Sequence, residues 1–298
     1  MADLKKHQPA MDVDSQISNL KALGLRIDDE DLAKRVLNEI SYFRIIKAYS
    51  LHLKEKNSSY HQDISFEQIL NLYLFNKCLR NLLYPLIEDI EVALRCRISN
   101  FFGIRYGVTG YLDSNNFEDS NYHKELIDEI NSSINRNSMS PFVKNFRTNY
   151  EDGTLPVYAV CEVISFGTLS KFYKNMKPED KKAIAVEFGT SYVYLESWME
   201  SIAHVRNICA HYGRLYNNKL TKTPKLYKQY TRMNDKRENN QKIRNNRLFG
   251  ILLCMKYLED DNVWKEFIDD LKSVFIKYQD VNISTMGFPN DWEKLLAK

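Results

Sequence analysis

Apolar positions recur at intervals of three and four along most of the chain, and strict alternation is almost absent, so the pattern predicts helices throughout. The clearest run opens at Ser65, where Gln68 three residues on completes a capping-box pair. Ile69, Leu72, Tyr73, Leu79, Leu82, Leu83, Leu86, Ile87, Ile90 and Leu94 follow at helical spacing and carry the helix toward Phe102. A kink is expected near Pro85, because proline removes a backbone donor and crowds the turn before it. Upstream, residues 12–54 read as a short helix closed by Gly24 and then a longer one. The second starts at Asp28-Asp29-Glu30-Asp31, acids placed where the helix dipole favours them. Downstream, helices are expected near 117–136 and 141–150, and from Pro156 to Met176 about a turn at Ser165-Phe166-Gly167. Others run from Pro178 to Phe188 and from about Ser191 to Tyr212, then near 246–259 and 262–278. A last short helix has Pro289 near its first turn. The fold class is all-α, divided into an N-terminal helical region over 1–150 and a second helical region over 151–298.

Composition supports this reading. Ten glycines and seven prolines in 298 residues leave few breakpoints, which favours long helices over a turn-rich β architecture. No run of 18 apolar residues occurs, so no membrane partner is expected, and Met1-Ala2-Asp3-Leu4-Lys5-Lys6 lacks the apolar core of a signal peptide. The five cysteines are scattered and none pair at C-x2-C spacing, which points to reduced thiols in a cytoplasm. Neither a metal nor a cofactor is expected. Charge changes the picture locally. Between Lys219 and Arg247 ten Lys or Arg face two acids, a local charge of +8 in a chain of net charge +3. That segment is either a solvated loop or a site for a polyanion.

Candidate chemistry lies just before it. In the helix expected to end near Tyr212, Trp198, Ile202, Val205 and Cys209 form an apolar stripe, while His204, Asn207 and His211 share a polar one. Arg206 and His211 lie roughly 140° apart around the axis, so they do not stack on one face. Arginine holds phosphate and steadies charge on its oxygens, and histidine moves a proton near neutrality. Together, without a carboxylate pair, they suit cleavage of RNA through its own 2′-hydroxyl, with Asn207 orienting either partner. The spacing alone is weak, since 15 arginines and six histidines give about 0.3 chance matches. The structural alternative pairs Arg206 with Glu200 or Glu196 and leaves His211 as a helix-end histidine. Cys209, among apolar neighbours, reads as core.

Three blocks give the motif context: Glu162-Val163-Ile164-Ser165-Phe166-Gly167-Thr168-Leu169-Ser170-Lys171-Phe172-Tyr173, Leu195-Glu196-Ser197-Trp198-Met199, and Arg206-Asn207-Ile208-Cys209-Ala210-His211-Tyr212-Gly213-Arg214-Leu215-Tyr216-Asn217. With Gln16-Ile17, Leu23-Gly24-Leu25, Ile40-Ser41-Tyr42-Phe43-Arg44 and Met286-Gly287-Phe288-Pro289-Asn290-Asp291-Trp292, the chain resembles the bacterial abortive-infection proteins of the AbiD/AbiF type. The resemblance implies a HEPN-like helical bundle with additional N-terminal helices, and metal-independent RNase activity from the R-x4-H motif. The active site would be composed at a homodimer interface, with Arg206, His211 and Asn207 as its residues. It further implies phage defence by growth arrest, and restraint by a small regulatory RNA or a partner. Tyr212 and Tyr216 depart from the family pattern, which has histidine and tryptophan at many of those places. Within and beside the basic segment, Arg214, Lys219, Lys222, Lys225, Tyr227, Lys228, Arg232, Lys236, Arg237, Lys242, Arg244 and Arg247 are candidates for RNA binding, with Tyr227 and Tyr230 placed to stack on bases. A non-catalytic protein that holds a small regulatory RNA is the alternative function.

Overall fold

A computed structural model describes residues 9–298, so the six N-terminal residues examined for a signal peptide lie outside the described residues. The described residues form helices joined by turns, with no β-strand, as the periodicity predicts. None of these helices is long and apolar enough to cross a membrane. The chain divides into two compact units, one of residues 9–78 with 278–281, the other of 79–277 with 282–298. This division does not follow the expected boundary at 150, because helices from both sides of that position pack together in the larger unit.

In the smaller unit, α1 (Val13–Ala22) and α2 (Glu30–Glu39) bury Ile17, Leu20, Ala33, Val36 and Leu37. Asp12 and Asp29 cap their starts by accepting from Ser15 and Leu32 amides. Gly24, at φ +84°, ends α1 as expected, with the Leu25 amide donating back to the Leu20 carbonyl. The second helix is shorter than predicted. Ile40 is extended, Ser41 starts a new turn by accepting from the Arg44 amide at 3.3 Å, and a π-helical turn covers Phe43–Lys47. Here a local hydroxyl outcompetes helical continuation.

Helix α3 (Phe66–Tyr106) begins in this unit and continues into the other. Its start is the expected capping box, with Ser65 N–H donating to Gln68 Oε1 at 3.0 Å and Gln68 N–H donating to Ser65 Oγ at 3.2 Å. It passes through Pro85 and runs beyond Phe102, ending at Gly107 with φ +81°.

The larger unit continues with α4 (Ser120–Arg136), α5 (Pro141–Asn149), α6 (Val157–Val163), α7 (Phe166–Asn175) and α8 (Pro178–Glu187). Then come α9 (Tyr192–Ala210), α10 (Lys228–Met233), α11 (Leu248–Met255), α12 (Asp261–Lys277) and α13 (Trp292–Leu296). Helix α9 is central and packs on α7, α8 and α11, while α4 packs on α6 and α7. All eight residues of α11 are buried, as befits a helix that is apolar on every side. Pro289 lies three residues before Trp292, where α13 starts, and so stands ahead of the expected first turn, with Asp291 as the N-cap residue. Gly287 sits at φ +89°, where an added Cβ would lie 2.7 Å from Arg247 Cβ, so glycine lets the chain turn tightly against that arginine.

Candidate functional site

The expected apolar stripe of α9 holds, with Trp198, Ile202, Val205 and Cys209 all buried. Burial pushes the Cys209 thiol up to about 12, which suits a core residue and not a nucleophile. The end of α9 is fixed by two bonds. Tyr212 N–H donates to the Cys209 carbonyl at 3.2 Å, and Gly213 N–H to the Ile208 carbonyl at 2.7 Å. This is a Schellman closure in which Tyr212 adopts φ +58°, a left-handed conformation usually left to glycine or asparagine. Gly213 fits because a Cβ there would come within 2.9 Å of Ile208 Cγ2. Buried Arg80 of α3 then donates to the Gly213 carbonyl at 3.0 Å. His211 is the C-terminal cap, exposed beside this rigid turn.

Arg206 leans the other way, toward α3. Its Nε lies 3.4 Å from Glu91, and its guanidinium carbon lies 6.0 Å from the Tyr84 ring centre. Glu91 also binds Arg95, which in turn donates to the Cys161 carbonyl. These groups line a groove of about 200 Å³ together with Glu88, Val92 and Glu162. The contact to Glu91 is through Nε, and the Arg206 side chain stays 32% exposed. The partners expected in the structural alternative are taken elsewhere: Glu200 by Lys222 at 2.5 Å and Glu196 by Lys181 at 3.3 Å. Glu91 was missed because nothing in the local pattern of α3 marks it as facing α9.

The Glu91 carboxylate serves two guanidiniums and is 11% exposed. Its replacement in Glu91→Gln keeps the shape but removes the charge from both pairs. We expect a loss of about 1–3 kcal/mol in urea unfolding, the cost of leaving buried charge-assisted donors poorly matched.

Asn207 and His204 face a third direction, into a larger cleft of about 510 Å³ between α4, α7, α9 and the chain after Thr221. Arg206, Asn207 and His211 are therefore on one helix end, but a single chain does not bring them into one pocket. Burial, then nearby Lys222, lowers the His204 pKa below its ordinary value.

The basic segment is tied to the body of the larger unit by hydrogen bonds. The Lys225 amide donates to Ser197 Oγ at 2.8 Å, the Lys225 carbonyl accepts from the Trp198 indole at 2.8 Å, and Leu220 N–H donates to the Asn246 carbonyl. Residues 228–233 form α10, which the sequence pattern did not show. Arg237 makes a two-pronged pair with Asp291 at 2.8 and 2.6 Å, holding that carboxyl below the usual range. Arg247 donates to the Asn218 carbonyl at 3.1 Å, and Arg244 to the Asn239 carbonyl at 3.1 Å. These arginines knit the segment together. Lys219, Lys228, Arg232, Lys236 and Lys242 are exposed, Arg214 is half-buried, and Lys222 and Lys225 line the cleft. The stacking expected of the tyrosines needs correcting. Tyr230 is buried, and Tyr227 packs against Tyr194, Trp198 and Tyr257 at ring distances of 4.5, 5.3 and 4.8 Å, its hydroxyl 2.7 Å from Thr190. Apolar contact among the rings outweighs exposure to a base.

A family model described as Abi-like protein matches residues 35–217, more than half of the chain. The chain belongs to the Abi-like proteins. The match ends just past the α9 closure and so includes Arg206, Asn207 and His211. Membership connects this Abi-like protein with abortive infection, a form of phage defence. No curated protein and no solved structure matches the chain significantly.

Proposed function

We propose that this Abi-like protein is a metal-independent, HEPN-type endoribonuclease of abortive infection that acts in the cytoplasm. The observation that supports it best is the end of α9, inside the family match, where a part-exposed guanidinium and an exposed imidazole flank a rigid closure. Arg206 binds the scissile phosphate through its terminal nitrogens and stabilises charge on the phosphate oxygens. His211 takes the 2′-hydroxyl proton or returns one to the 5′-oxygen that leaves. The 2′-oxygen forms the new bond to phosphorus as the P–O5′ bond breaks, which gives a 2′,3′-cyclic phosphate and a 5′-hydroxyl. The nucleophile belongs to the substrate. Asn207 orients the strand from the adjoining face, and the exposed cations after Lys219 hold its backbone.

Because Arg206 and His211 diverge in one chain, we place the working site between two copies, each supplying groups to a shared groove. Mixing purified Arg206→Ala with His211→Ala tests this. If one site takes Arg206 from one copy and His211 from the other, random pairing restores about a quarter of wild-type cleavage. Sites that draw both groups from one chain would stay inactive in the mixture, which would remove the shared site.

A second reading has one observation in its favour: Glu91 occupies Arg206 in the single chain. On that reading the protein holds a small regulatory RNA without cutting it. Tight binding with steep salt dependence, and no cleavage of the bound RNA or of a panel of others, would select it.

A further inference from the structure

Of the residues lining the cleft beside α9, only Asn207 and the cations Lys222 and Lys225 have a role in the chemistry above, yet the whole lining is specific. Four lysines surround it, Lys171 and Lys174 from α7 and Lys222 and Lys225 from the chain after α9, against the two carboxylates Glu196 and Glu200. Carboxylates already engage part of this charge, since Lys171 pairs with Glu129, Lys222 with Glu200, and Glu196 with Lys181. Lys174 and Lys225 have no acid within 4.0 Å among the described residues, and both are exposed. Two uncommitted cations at one opening favour a compact anion over a neutral or cationic ligand.

The rest of the lining suits a planar polar group attached to that anion. Val193, Ala203 and Gly167 are the apolar and small members of the lining, and Tyr122 is its aromatic residue. The Asn207 amide offers a donor and an acceptor side by side, the pattern that reads the edge of a nucleobase. His204, held toward its neutral form by burial and Lys222, has Nε2 3.4 Å from the Thr221 hydroxyl and offers its other ring nitrogen with no further charge. The volume, about 510 Å³, lies in the range of small-ligand sites.

We infer that this cleft binds a ribonucleotide, with Lys174 and Lys225 on its phosphate and Asn207 and His204 at its base. Helix geometry connects it to the site above. Asn207 and His211 share one stripe of α9, about 6 Å apart along the axis at 1.5 Å per residue. A strand whose scissile phosphate meets His211 therefore sets a neighbouring nucleotide in the cleft. That last link rests on the cleavage reading, whereas the binding of a nucleotide does not.

The test is calorimetric titration of the full chain with a ribonucleoside 5′-monophosphate, the matching nucleoside and inorganic phosphate. The nucleotide should bind at least tenfold more tightly than either half alone. The double variant Lys174→Glu/Lys225→Glu, both exposed and checked for unchanged thermal melting, should weaken nucleotide binding at least tenfold. Equal affinity for phosphate alone would reduce the site to a general anion site, and unchanged affinity in the double variant would place binding elsewhere. Either result overturns the inference. Cleavage assayed in parallel separates the two readings. Cleavage without nucleotide binding defeats only the cleft, and binding without cleavage by the wild type defeats only the nuclease.

Discussion

Arg206→Ala and His211→Ala should each slow RNA cleavage by about 10² to 10⁴, the range for losing a positioned proton-transfer group or a charge-stabilising donor. Both should retain RNA binding within a few-fold. The two substitutions act on different steps. Without Arg206 the phosphate loses its planar, two-pronged partner, and Arg206→Lys should recover little because an ammonium cannot reproduce that fork. Without His211 a proton is no longer taken from the 2′-hydroxyl or returned to the leaving 5′-oxygen, so the phosphate is held but not cleaved. The fold should survive both. His211 is exposed, and the α9 closure depends on backbone bonds of residues 208–213. Arg206→Ala leaves Glu91 its bond to Arg95. Gel-shift titration beside a cleavage time course separates binding from chemistry, and unimpaired cleavage by both variants would remove these residues from the mechanism.

The largest structural effect is expected from Trp198→Ala. This side chain is wholly buried in α9, stacks on Tyr257 at 5.8 Å between ring centres, meets Tyr227 edge to face, and donates to the Lys225 carbonyl. Truncation opens a cavity under the start of the basic segment and orphans that carbonyl. The expected loss is about 3–5 kcal/mol in urea unfolding, typical of a buried tryptophan reduced to alanine. Because the lost indole anchors Lys225, nucleic-acid affinity should fall as well, even at temperatures where the variant is folded. A loss below about 1 kcal/mol would mean that the site relaxes around the gap more completely than its packing implies.

The contrast between what the chain announces and what it conceals follows from the range of the forces involved. The Ser65–Gln68 box, the acid-rich start of α2 and the Gly24 closure are set by residues within one turn, and each stands where the sequence places it. The polar and apolar stripes of α9 are legible for the same reason. The short helix at Lys228–Met233, tied to Tyr257 through Tyr230, and the Arg237–Asp291 pair are not, because each depends on parts of the chain far apart in sequence. The same holds at the candidate site. The divergence of Arg206 from Asn207 and His211 follows from their spacing on α9 and is legible, but the partners they meet, Glu91 beside Arg206 and the lysine-lined cleft beside Asn207, are not. Tyr227 and Tyr230 mislead for a related reason, since an aromatic among lysines looks like a stacking platform until its own hydrophobic partners are known.

The most direct test expresses the wild type and His211→Ala at matched levels in growing bacterial cells and maps RNA ends across the transcriptome. Growth arrest with new 2′,3′-cyclic-phosphate ends and matching 5′-hydroxyl ends in the wild type alone is the predicted result. Identical end maps for the two proteins, with or without arrest, would contradict RNA cleavage by this site.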